Sequence, residues 1–306
     1  MFTQVNKTRL GTRRLLRKKL DKHKKLQKLT TNIYLKYCKV SGFTHTLPDF
    51  LLIGFPKCGT TSLYEYLIQH PDIYSPIGKE IDYFDRLYSK GLDWYKVRFP
   101  LKIQKFFVKN VIGKNFITGE ATPRYVYHPH TLVRIKKTIP NVKFIVLLRN
   151  PIERSFSHYN MNVRNGYEYL TFDNAIKREN ERIKGRYEKM RNNENYYSWD
   201  YDLFGYLEQS KYFEKLKVWM AEFPQEQFLI IQSEDFLKNP SKIYHRVLKF
   251  LNLSKWEPEQ YKLYKKKEYE NSKINSTLRK ELIEYFRPHN EKLYNLLRTN
   301  FNWNDI

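Results

Sequence analysis

Cysteine, long apolar runs and clusters of metal ligands are all scarce in this chain. Its 306 residues include only two cysteines, Cys38 and Cys58, so they cannot form the disulfide framework of a small secreted domain. No apolar stretch approaches the roughly 18 residues of a membrane-spanning helix, and the N-terminus lacks the apolar centre of a signal peptide. Among the eight scattered histidines, His128 and His130 are the only close pair. We therefore expect a cytoplasmic protein without a transmembrane segment or a bound metal.

Acidic residues are also scarce, most of all near the N-terminus. The formal net charge is +24, and residues 1–40 hold 13 lysines and arginines against the single acid Asp21. Such a segment suits contact with a polyanion or a membrane surface, although a solvated arm has the same composition. We expect a basic N-terminal extension over residues 1–47 and one folded domain over residues 48–306, which is long enough to bury a substantial core.

Short apolar runs alternate with longer helical patterns after Pro48. Strands are predicted over Phe50–Phe55, Phe116–Glu120, Val142–Leu148 and Phe228–Gln232, and helices at Thr60–His70, from Pro151 onward, at Tyr206–Phe223 and at Ser241–Leu251. The charged stretch 173–198 is predicted to be a helix ending in a mobile loop, and residues 277–299 to be two short helices separated at Pro288. Strands and helices alternating in this way predict an α/β fold whose central parallel sheet is flanked by helices and binds ligands at its carboxyl edge.

The first chemically informative stretch joins a strand to a helix. Residues 51–62 read Leu-Leu-Ile-Gly-Phe-Pro-Lys-Cys-Gly-Thr-Thr-Ser, an apolar strand followed by a lysine-bearing turn and a hydroxyl-rich helix start. Backbone N–H groups at a helix start, the positive end of the helix dipole and a nearby ammonium together bind a phosphate-like group. In a Walker P-loop the lysine follows the second glycine, whereas Lys57 precedes Gly59 here. The turn is therefore predicted to bind an anion without being a standard nucleoside triphosphate site.

A second basic motif follows the most apolar strand. Arg149 stands where that strand ends, and Ser157 lies about two turns into the next helix, so both are expected at the same carboxyl edge as the first turn. A guanidinium and a hydroxyl suit a second phosphate. The alternative is that Arg149 caps the strand and Arg154 pairs with a neighbouring carboxylate.

The two motifs together resemble the cofactor-binding signatures of sulfotransferases that use 3′-phosphoadenosine 5′-phosphosulfate (PAPS). Further segments resemble the carbohydrate branch of that superfamily, the heparan sulfate N- and 3-O-sulfotransferases. These segments are Lys79–Asp85 with Gly91–Tyr95, Gly119–Tyr125 and Phe223–Phe228. The resemblance covers roughly residues 49–300. It implies a P-loop-like three-layer fold and the transfer of a sulfuryl group from PAPS to a hydroxyl or amine of an acceptor, expected to be a carbohydrate.

The resemblance also implies roles for individual residues. The 5′-phosphosulfate is expected to contact Lys57, Cys58, Gly59, Thr60, Thr61 and Ser62, and the 3′-phosphate to contact Arg149 and Ser157. Lys57 would stabilise the charge that grows on the bridging oxygen of the leaving group, a task that needs no metal. Glu80 matches the catalytic base of the family, which takes the proton of the acceptor.

Two other residues remain candidates for the base. His128 lies 21 residues before Arg149, close to where the small-molecule branch of the superfamily keeps its catalytic histidine, although the local sequence Tyr-His-Pro does not match that branch. Glu120 ends a predicted strand at the same edge. It could instead orient Lys57, contact the acceptor or have a structural partner.

Three weaker assignments concern the acceptor and the closure of the nucleotide site. The heparan enzymes often carry a histidine two places after the base, whereas this chain has Asp82, which is expected to contact the acceptor and leaves its identity open. Lys266 has about the position of the basic loop that closes over the 3′-phosphate in the family, with a solvated lysine run as the alternative. Trp199, beside the charged stretch, is the aromatic residue most suited to contact an acceptor.

Two other functions remain open from the sequence. A small-molecule P-loop kinase is disfavoured, because no Gly-Lys-Ser/Thr follows the turn and no Mg²⁺-binding aspartate is recognisable. A polyanion-binding or nucleic-acid-binding protein on a degenerate sulfotransferase fold agrees with the charge and the basic arm. The carbohydrate enzymes of this family act in the secretory pathway behind a membrane anchor, whereas this sequence shows no apolar segment of that kind. A bacterial or viral source is therefore expected.

Overall fold

A parallel four-stranded sheet lies at the centre of the computed structural model, which describes residues 30–262, 264 and 274–304. Its strands are β1 (Phe50–Gly54), β2 (Gly119–Ala121), β3 (Lys143–Leu148) and β4 (Phe228–Gln232). They lie in the order β2-β1-β3-β4, and every neighbouring pair is parallel. The two central strands are buried along almost their whole length, as expected for a sheet covered on both faces. The predicted α/β fold with a central parallel sheet is confirmed.

Helices connect the strands and cover the sheet. In the described part of the chain they are α1 (residues 30–41), α2 (Thr60–Leu67), α3 (Leu92–Lys96), α4 (Lys102–Asn110), α5 (Thr131–Thr138), α6 (Pro151–Arg164), α7 (Phe172–Lys177), α8 (Glu179–Ile183), α9 (Arg186–Asn192), α10 (Trp199–Phe204), α11 (Tyr212–Glu222), α12 (Ser233–Lys238), α13 (Pro240–Phe250) and α14 (Ser276–Leu297). Short 3₁₀ turns lie at Gly42–Thr44, Tyr88–Lys90, Pro123–Val126, Glu208–Ser210 and Gln225–Gln227. None of the described helices is long and apolar enough to cross a membrane.

The strand order creates a crevice at the carboxyl edge of the sheet. From β1 the chain moves to β2 on one side, then crosses back and places β3 on the other side of β1. Such a reversal opens a crevice outside the carboxyl ends of the two central strands, where ligands bind in open α/β sheets. Lys57 follows β1 and Arg149 follows β3. The topology therefore brings both sequence motifs to one place.

The stretch 173–198 differs from the single helix predicted for most of it. It contains α8 and α9 and most of α7, with only residues 193–198 irregular after α9. Gly185 has a φ of 70° and separates α8 from α9, so the helix cannot run through. The buried carboxylate of Glu179 accepts the backbone N–H groups of Leu207 and Glu208, each at 2.8 Å. This tertiary contact holds α8 against the domain.

The C-terminal region is one long helix, and the predicted break at Pro288 is wrong. Pro288 lies inside α14, whose buried residues continue from Phe286 to Asn290 and Leu293 on the other side of the proline. Proline removes one helical hydrogen bond and disfavours the preceding turn. Here the continuous buried face outweighs that local preference. His289 adds a contact directly after the proline, with its Nδ1 2.7 Å from Glu214 Oε1 on α11.

The described part of the predicted N-terminal extension contacts the folded domain. Cys38 on α1 is buried in the main core, and His45 forms an isolated antiparallel bridge with Leu101. Cys38 and Cys58 are both free thiols. Residues 1–29 lie outside the described residues, so the boundary at residue 47 stays a prediction.

Candidate functional site

The turn between β1 and α2 leaves the start of α2 without a side-chain cap. Gly59, the N-cap residue, has a φ of 90°, which favours glycine, and it has no side chain to accept a hydrogen bond from the first turn of α2. The first N–H groups of a helix also have no acceptor within the helix. By contrast, α6 is capped by Asn150, whose side chain accepts the N–H groups of Ile152 and Glu153. The start of α2 therefore has the donors that an anion requires.

The carbonyl groups of the same turn are held by donors outside it. Three consecutive carbonyl oxygens each accept a side-chain hydrogen bond. These bonds run from Arg154 Nε to Pro56 O (3.2 Å), from Arg149 Nη1 to Lys57 O (3.3 Å) and from Ser233 Oγ to Cys58 O (2.7 Å). Carbonyl oxygens occupied in this way are kept from facing an anion, so the turn is organised for negative charge before any ligand binds.

Arg154 is a buried support for this turn. Besides Pro56 O, its guanidinium donates to the carbonyl of Tyr206 (3.1 Å) and to the side chains of Gln209 (2.8 Å) and Ser210 (3.2 Å). These acceptors are neutral, unlike the carboxylate partner considered from the sequence. The structure thus fixes the anion-binding turn to α6 and to the 3₁₀ turn that follows α10.

The second motif lies directly against the first. Arg149 donates to Lys57 O, and the hydroxyl of Tyr212 donates to the Arg149 carbonyl at 2.8 Å. The Arg149 guanidinium also lies 3.9 Å from Glu153 Oε2. Ser157 is buried on α6, three residues after Arg154 and therefore on a similar face of that helix. The structure confirms that the end of β3 and the turn after β1 share one crevice.

The side chains of the turn differ in what they can offer a ligand. The Cys58 thiol is buried 3.8 Å from the Tyr212 hydroxyl, and burial raises its pKa to about 11. The Ser62 hydroxyl is also buried and accepts the N–H of Tyr264 at 3.0 Å. For Ser62 the backbone N–H is the group available to an anion, whereas the Cys58 N–H already donates to the Phe55 carbonyl at 3.2 Å. The bond to Ser62 places Tyr264, two residues before Lys266 in the chain, at the first turn of α2, while Lys266 itself lies outside the described residues.

Glu80 pairs with the 3₁₀ turn Pro123–Val126. Its Oε2 lies 3.7 Å from Arg124 Nη2 in that turn, and the preceding Lys79 pairs with Glu65 on α2 at 3.5 Å. The turn approaches the end of β1 closely, since a Cβ at Gly54 would lie only 3.0 Å from Val126 Cγ1. Arg124 therefore holds Glu80 beside the carboxyl end of β1.

Three of the predicted site residues have unusual backbone conformations. Lys57 has a φ of 73°, and Glu80 and Asp82 each have a φ of 54°. Residues other than glycine rarely adopt this left-handed region, and such outliers concentrate at functional sites. The strain at both segments supports a shared functional role.

Two arginines connect the side chains that border the crevice, and sequence reasoning did not single them out. Arg124 bridges Glu80 and Asp202, with Nε 3.2 Å from Asp202 Oδ1. Arg86 pairs with Asp82 through Nη2, and its guanidinium carbon lies 5.1 Å from the ring centroid of Trp199. Arg86 therefore joins Asp82 and Trp199, two of the residues that were predicted to contact the acceptor. The one available signal was that Arg124 and Arg86 lie in or beside the segments that carry the family resemblance.

Asp82 and Trp199 differ in their accessibility. Asp82 is buried, which raises the pKa of its carboxyl group while the Arg86 pairing opposes that shift. Trp199 is exposed at the start of α10, next to Tyr197, whose ring also lies 5.2 Å from the Arg86 guanidinium. We call the surface formed by Glu80, Arg86, Arg124 and Trp199 the acceptor rim. Its exposed indole is the group that can contact a sugar ring directly.

Glu120 is a buried structural carboxyl group in the described residues. It accepts hydrogen bonds from the hydroxyls of Tyr95 (2.6 Å), Thr122 (2.7 Å) and Tyr125 (3.0 Å). Burial raises its pKa to about 7, although these hydrogen bonds act in the opposite direction. With its oxygens engaged and its side chain 1% exposed, Glu120 does not offer the acceptor contact considered from the sequence.

Replacing Glu120 with glutamine is expected to change the pH dependence of stability. The folded-state pKa lies above the ordinary value, so the folded protein binds the extra proton between about pH 4.5 and 7, and this carboxyl group lowers stability as the pH rises through that range. Relative to the Glu120→Gln variant, the wild type should lose up to about 3 kcal/mol of unfolding free energy across that range in urea titrations. Exposed Glu226→Gln is the control and should retain the wild-type pH slope. Parallel slopes for wild type and Glu120→Gln would contradict the assignment.

His128 is poorly suited to be the catalytic base. Its Nδ1 accepts the backbone N–H of His130 at 3.4 Å, and its Nε2 lies 3.2 Å from the carbonyl of Tyr196. Burial lowers its pKa to about 4, so the ring is neutral and donates from Nε2 at ordinary pH. Both nitrogens are therefore engaged, and neither can take a proton from an acceptor without losing a hydrogen bond.

The described residues contain no group of three or more histidine, cysteine or acidic side chains that could hold a metal ion. A cavity of about 440 Å³ lies at the opposite, amino edge of the sheet, lined among others by Asp49, Asn141 and Lys143. It is separated from the anion-binding turn by the length of β1. The chemistry-bearing residues thus lie in the open crevice and not in this cavity.

Comparison with known proteins identifies the relatives of this chain. Residues 47–295 match the family model described as the sulfotransferase domain. The membrane-associated sulfotransferase kil1 of Dictyostelium discoideum is 31% identical, over 86% of this chain and 68% of kil1. Heparan sulfate glucosamine 3-O-sulfotransferase 3B1 of Mus musculus is 28% identical, over 84% of this chain and 65% of that enzyme. The chain thus spans about two thirds of the length of these curated relatives.

A solved structure shares the fold. The sulfotransferase from Alicyclobacillus acidocaldarius superimposes with a TM-score of 0.64 at 28% identity, over 84% of this chain and 99% of that chain. This likeness agrees with the parallel sheet and flanking helices described above. The P-loop-like three-layer architecture predicted from the sequence is confirmed.

Proposed function

The chain belongs to the sulfotransferase domain family, and from that premise we propose that it transfers the sulfuryl group of PAPS to a hydroxyl or amine of a carbohydrate acceptor. The observation that carries the proposal is the contact of Arg149 Nη1 with Lys57 O at 3.3 Å. It joins two cationic motifs at the carboxyl ends of β1 and β3. A nucleotide with phosphate groups at both its 5′ and 3′ positions needs two such sites side by side.

Binding of the nucleotide follows from the donors of the crevice. The N–H groups at the start of α2 and the Lys57 ammonium would hold the 5′-phosphosulfate, with Gly59, Thr60, Thr61 and Ser62 supplying backbone N–H groups and Thr61 a hydroxyl. Arg149 and Ser157 would hold the 3′-phosphate. Arg154 keeps the turn in place from below. We retain Lys266 as a further 3′-phosphate contact from the family resemblance, and Tyr264, two residues before it, is bonded to Ser62 at the start of α2.

The reaction proposed is an in-line displacement at sulfur. The acceptor oxygen or nitrogen forms a bond to sulfur while the bond from sulfur to the bridging oxygen breaks, and that electron pair leaves with the nucleotide as 3′-phosphoadenosine 5′-phosphate (PAP). Glu80 takes the proton that the acceptor loses. The Lys57 ammonium stabilises the negative charge that develops on the leaving oxygen. No metal ion is required for these steps.

The acceptor rim supports a carbohydrate as the substrate. The exposed Trp199 can stack on a sugar ring, and the Arg86 guanidinium beside it can bind an anionic substituent. A net charge of +24 favours an acidic glycan over a neutral one. The 3-O-sulfotransferase relatives are named for heparan sulfate glucosamine, and we propose a related acidic glycan as the acceptor class.

Calorimetry and a transfer assay test this function. PAP is expected to bind without a metal ion, while ATP with Mg²⁺ binds much more weakly. Radiolabelled sulfate from PAPS should then appear on acidic glycans in a screen that also includes lipids and small phenols. Preferential binding of Mg²⁺-ATP would instead support the kinase alternative, and polyanion binding without nucleotide affinity would support the binding-protein alternative.

Replacing Arg149 with alanine is expected to weaken PAP binding by about 10- to 100-fold, because a charge-assisted pair with the 3′-phosphate is lost. Binding of adenosine 5′-phosphate, which differs from PAP only by lacking the 3′-phosphate, should change by less than about threefold. Calorimetry with both nucleotides measures the difference. Since Arg149 also supports Lys57 O, an equal loss for both nucleotides would show a collapsed turn and contradict the assignment of a 3′-phosphate contact.

The domain boundary at residue 47, the cytoplasmic location and the contact of the basic arm with a polyanion or membrane surface remain predictions. They are separate from the transfer reaction. Limited proteolysis and cell fractionation would test the first two directly.

A further inference from the structure

Helix α4 is oriented with its apolar side outward. Ile103, Phe106 and Phe107 lie at positions i, i+3 and i+4, and their side chains are 68%, 59% and 52% exposed. The inward side of the same helix carries Val108, which is buried, and Lys105, whose Nζ is 2.8 Å from Asp49 Oδ1. An amphipathic helix on the surface of a globular domain normally shows the reverse arrangement.

The outward residues of α4 belong to a larger exposed apolar surface. We call it the basal face, and it consists of Leu101, Ile103, Phe106, Phe107, Val111 and Ile112, all exposed. Large contiguous apolar surfaces are uncommon on a solvated protein and usually mark a binding site. The basal face therefore requires an apolar partner.

The exposed charges of the chain segment that forms the basal face are of one sign. No acidic residue occurs between Asp93 and Glu120, whereas Lys102, Lys109 and Lys114 are exposed along this stretch. Lysines flanking a bulky apolar face are the composition of helices that lie in the interface of a membrane. The partner of this face is therefore both apolar and anionic.

Helix α1 has a second surface of the same kind. Ile33, Tyr37 and Val40, at positions i, i+4 and i+7, form an exposed stripe, and α1 also exposes lysines. Arg98, three residues before Leu101 in the chain, contacts α1: its guanidinium lies 5.7 Å from the Tyr34 ring centroid. Helix α1 and the basal face thus lie at the same end of the domain.

We propose that the basal face docks this protein on a membrane surface that contains anionic lipids. The apolar side chains would enter the interface while the flanking lysines contact the lipid headgroups. A second copy of the chain, with the same net charge of +24, would bring like charges together across this face. The basic segment 1–29 would likewise bring positive charge against the lysines of this face. A nucleic acid would attract the lysines but offers no apolar surface for several exposed phenylalanine and isoleucine side chains.

Docking in this way would leave the candidate active site accessible. Lys105 of α4 pairs with Asp49, which precedes β1, whereas Lys57 follows β1 at its other end. The five residues of β1 separate the two edges by about 16 Å. The basal face and the crevice therefore lie at opposite edges of the sheet, and an acceptor reaches the crevice from the solvent side.

Vesicle sedimentation of the full chain tests the proposal. Vesicles of phosphatidylcholine alone are compared with vesicles that hold phosphatidylcholine and phosphatidylserine at about 3:1. The Phe106→Gln/Phe107→Gln variant should show a fall of about tenfold or more in its partition onto the anionic vesicles. The matched control is Tyr169→Gln/Val218→Gln, which also removes two exposed apolar side chains but away from α4. It should partition within about twofold of the wild type.

Three results would overturn the proposal. The first is that the Phe106→Gln/Phe107→Gln variant, here called the α4 variant, partitions onto anionic vesicles as strongly as the wild type, which would assign vesicle binding to the basic arm. The second is equal partition onto neutral and anionic vesicles. The third is a wild-type dimer in light scattering that becomes a monomer in the α4 variant without any vesicle binding, which would assign the basal face to a second copy. Circular dichroism and thermal unfolding confirm that each variant is folded, as expected for replacements of exposed side chains.

Discussion

Replacing Glu80 with glutamine is expected to lower kcat by about 10²- to 10⁴-fold while PAP affinity stays within about twofold of the wild type. Glutamine keeps the shape of the side chain but cannot take the proton of the acceptor. Arg124 keeps its ion pair with Asp202, whose Oδ1 lies 3.2 Å from Arg124 Nε. The substitution therefore does not leave a half-buried guanidinium without a partner. Steady-state kinetics at saturating PAPS, together with calorimetry, separate the two effects.

The chain offers a closely matched control for this substitution. The side chain of Glu65 is 29% exposed, and that of Glu80 is 33% exposed. Each forms one long ion pair, Glu65 with Lys79 at 3.5 Å and Glu80 with Arg124 at 3.7 Å. Glu65→Gln therefore removes the same charge from a similar ion pair without touching the proposed base. Its turnover should remain within about threefold of the wild type. Full turnover in Glu80→Gln, or an equal loss in both variants, would remove Glu80 from the catalytic role.

A third variant separates Glu80 from the histidine alternative. His128→Asn preserves a polar side chain that can replace part of the hydrogen bonding to Tyr196 and His130. If Glu80 is the base, this variant should keep most of its turnover, and any loss should follow its thermal stability. A large fall in kcat without a change in stability would favour His128 instead.

The anion-binding turn could be predicted from the sequence because its determinants are local. A strand, a glycine that tolerates a positive φ and a helix start lie within residues 51–62, and the observed φ of 90° at Gly59 agrees with that interpretation. Predicting the position of Arg149 required one further element, the apolar strand that ends just before it. Short-range patterns therefore predicted both halves of the proposed nucleotide site.

The acceptor rim could not be predicted in the same way because its contacts connect distant parts of the chain. Arg124 joins Glu80 to Asp202, and Arg86 joins Asp82 to the ring of Trp199. No local pattern specifies such pairs. The same reason explains Glu120, whose three hydroxyl partners depend on the packing of Tyr95 and Tyr125, and Pro288, whose helix continues because tertiary burial outweighs the local preference.

Replacing Lys57 with methionine is expected to lower kcat by about 10²- to 10³-fold, because the ammonium that stabilises the leaving oxygen is removed. Methionine keeps an unbranched side chain of similar length. At the φ of 73° that position 57 adopts, methionine and lysine are equally disfavoured, so the substitution does not change the backbone strain. Lys57→Arg retains the positive charge and should recover part of the lost rate. Lys96→Met, which removes a lysine paired with Asp93 at 3.7 Å away from the crevice, is the control and should leave turnover near the wild-type value.

The relation between turnover and binding decides what Lys57 does. An interaction made only in the transition state lowers kcat and kcat/KM equally, whereas an interaction made equally with the ground state raises KM and leaves kcat unchanged. The negative charge on the bridging oxygen grows as its bond to sulfur breaks, so the first pattern is expected. A fall in PAP affinity as large as the fall in kcat/KM would assign Lys57 to nucleotide binding alone. In that case the N–H groups at the start of α2 would be the remaining stabilisers of the leaving group, since the Pro56, Lys57 and Cys58 carbonyls are held away from it by Arg154, Arg149 and Ser233.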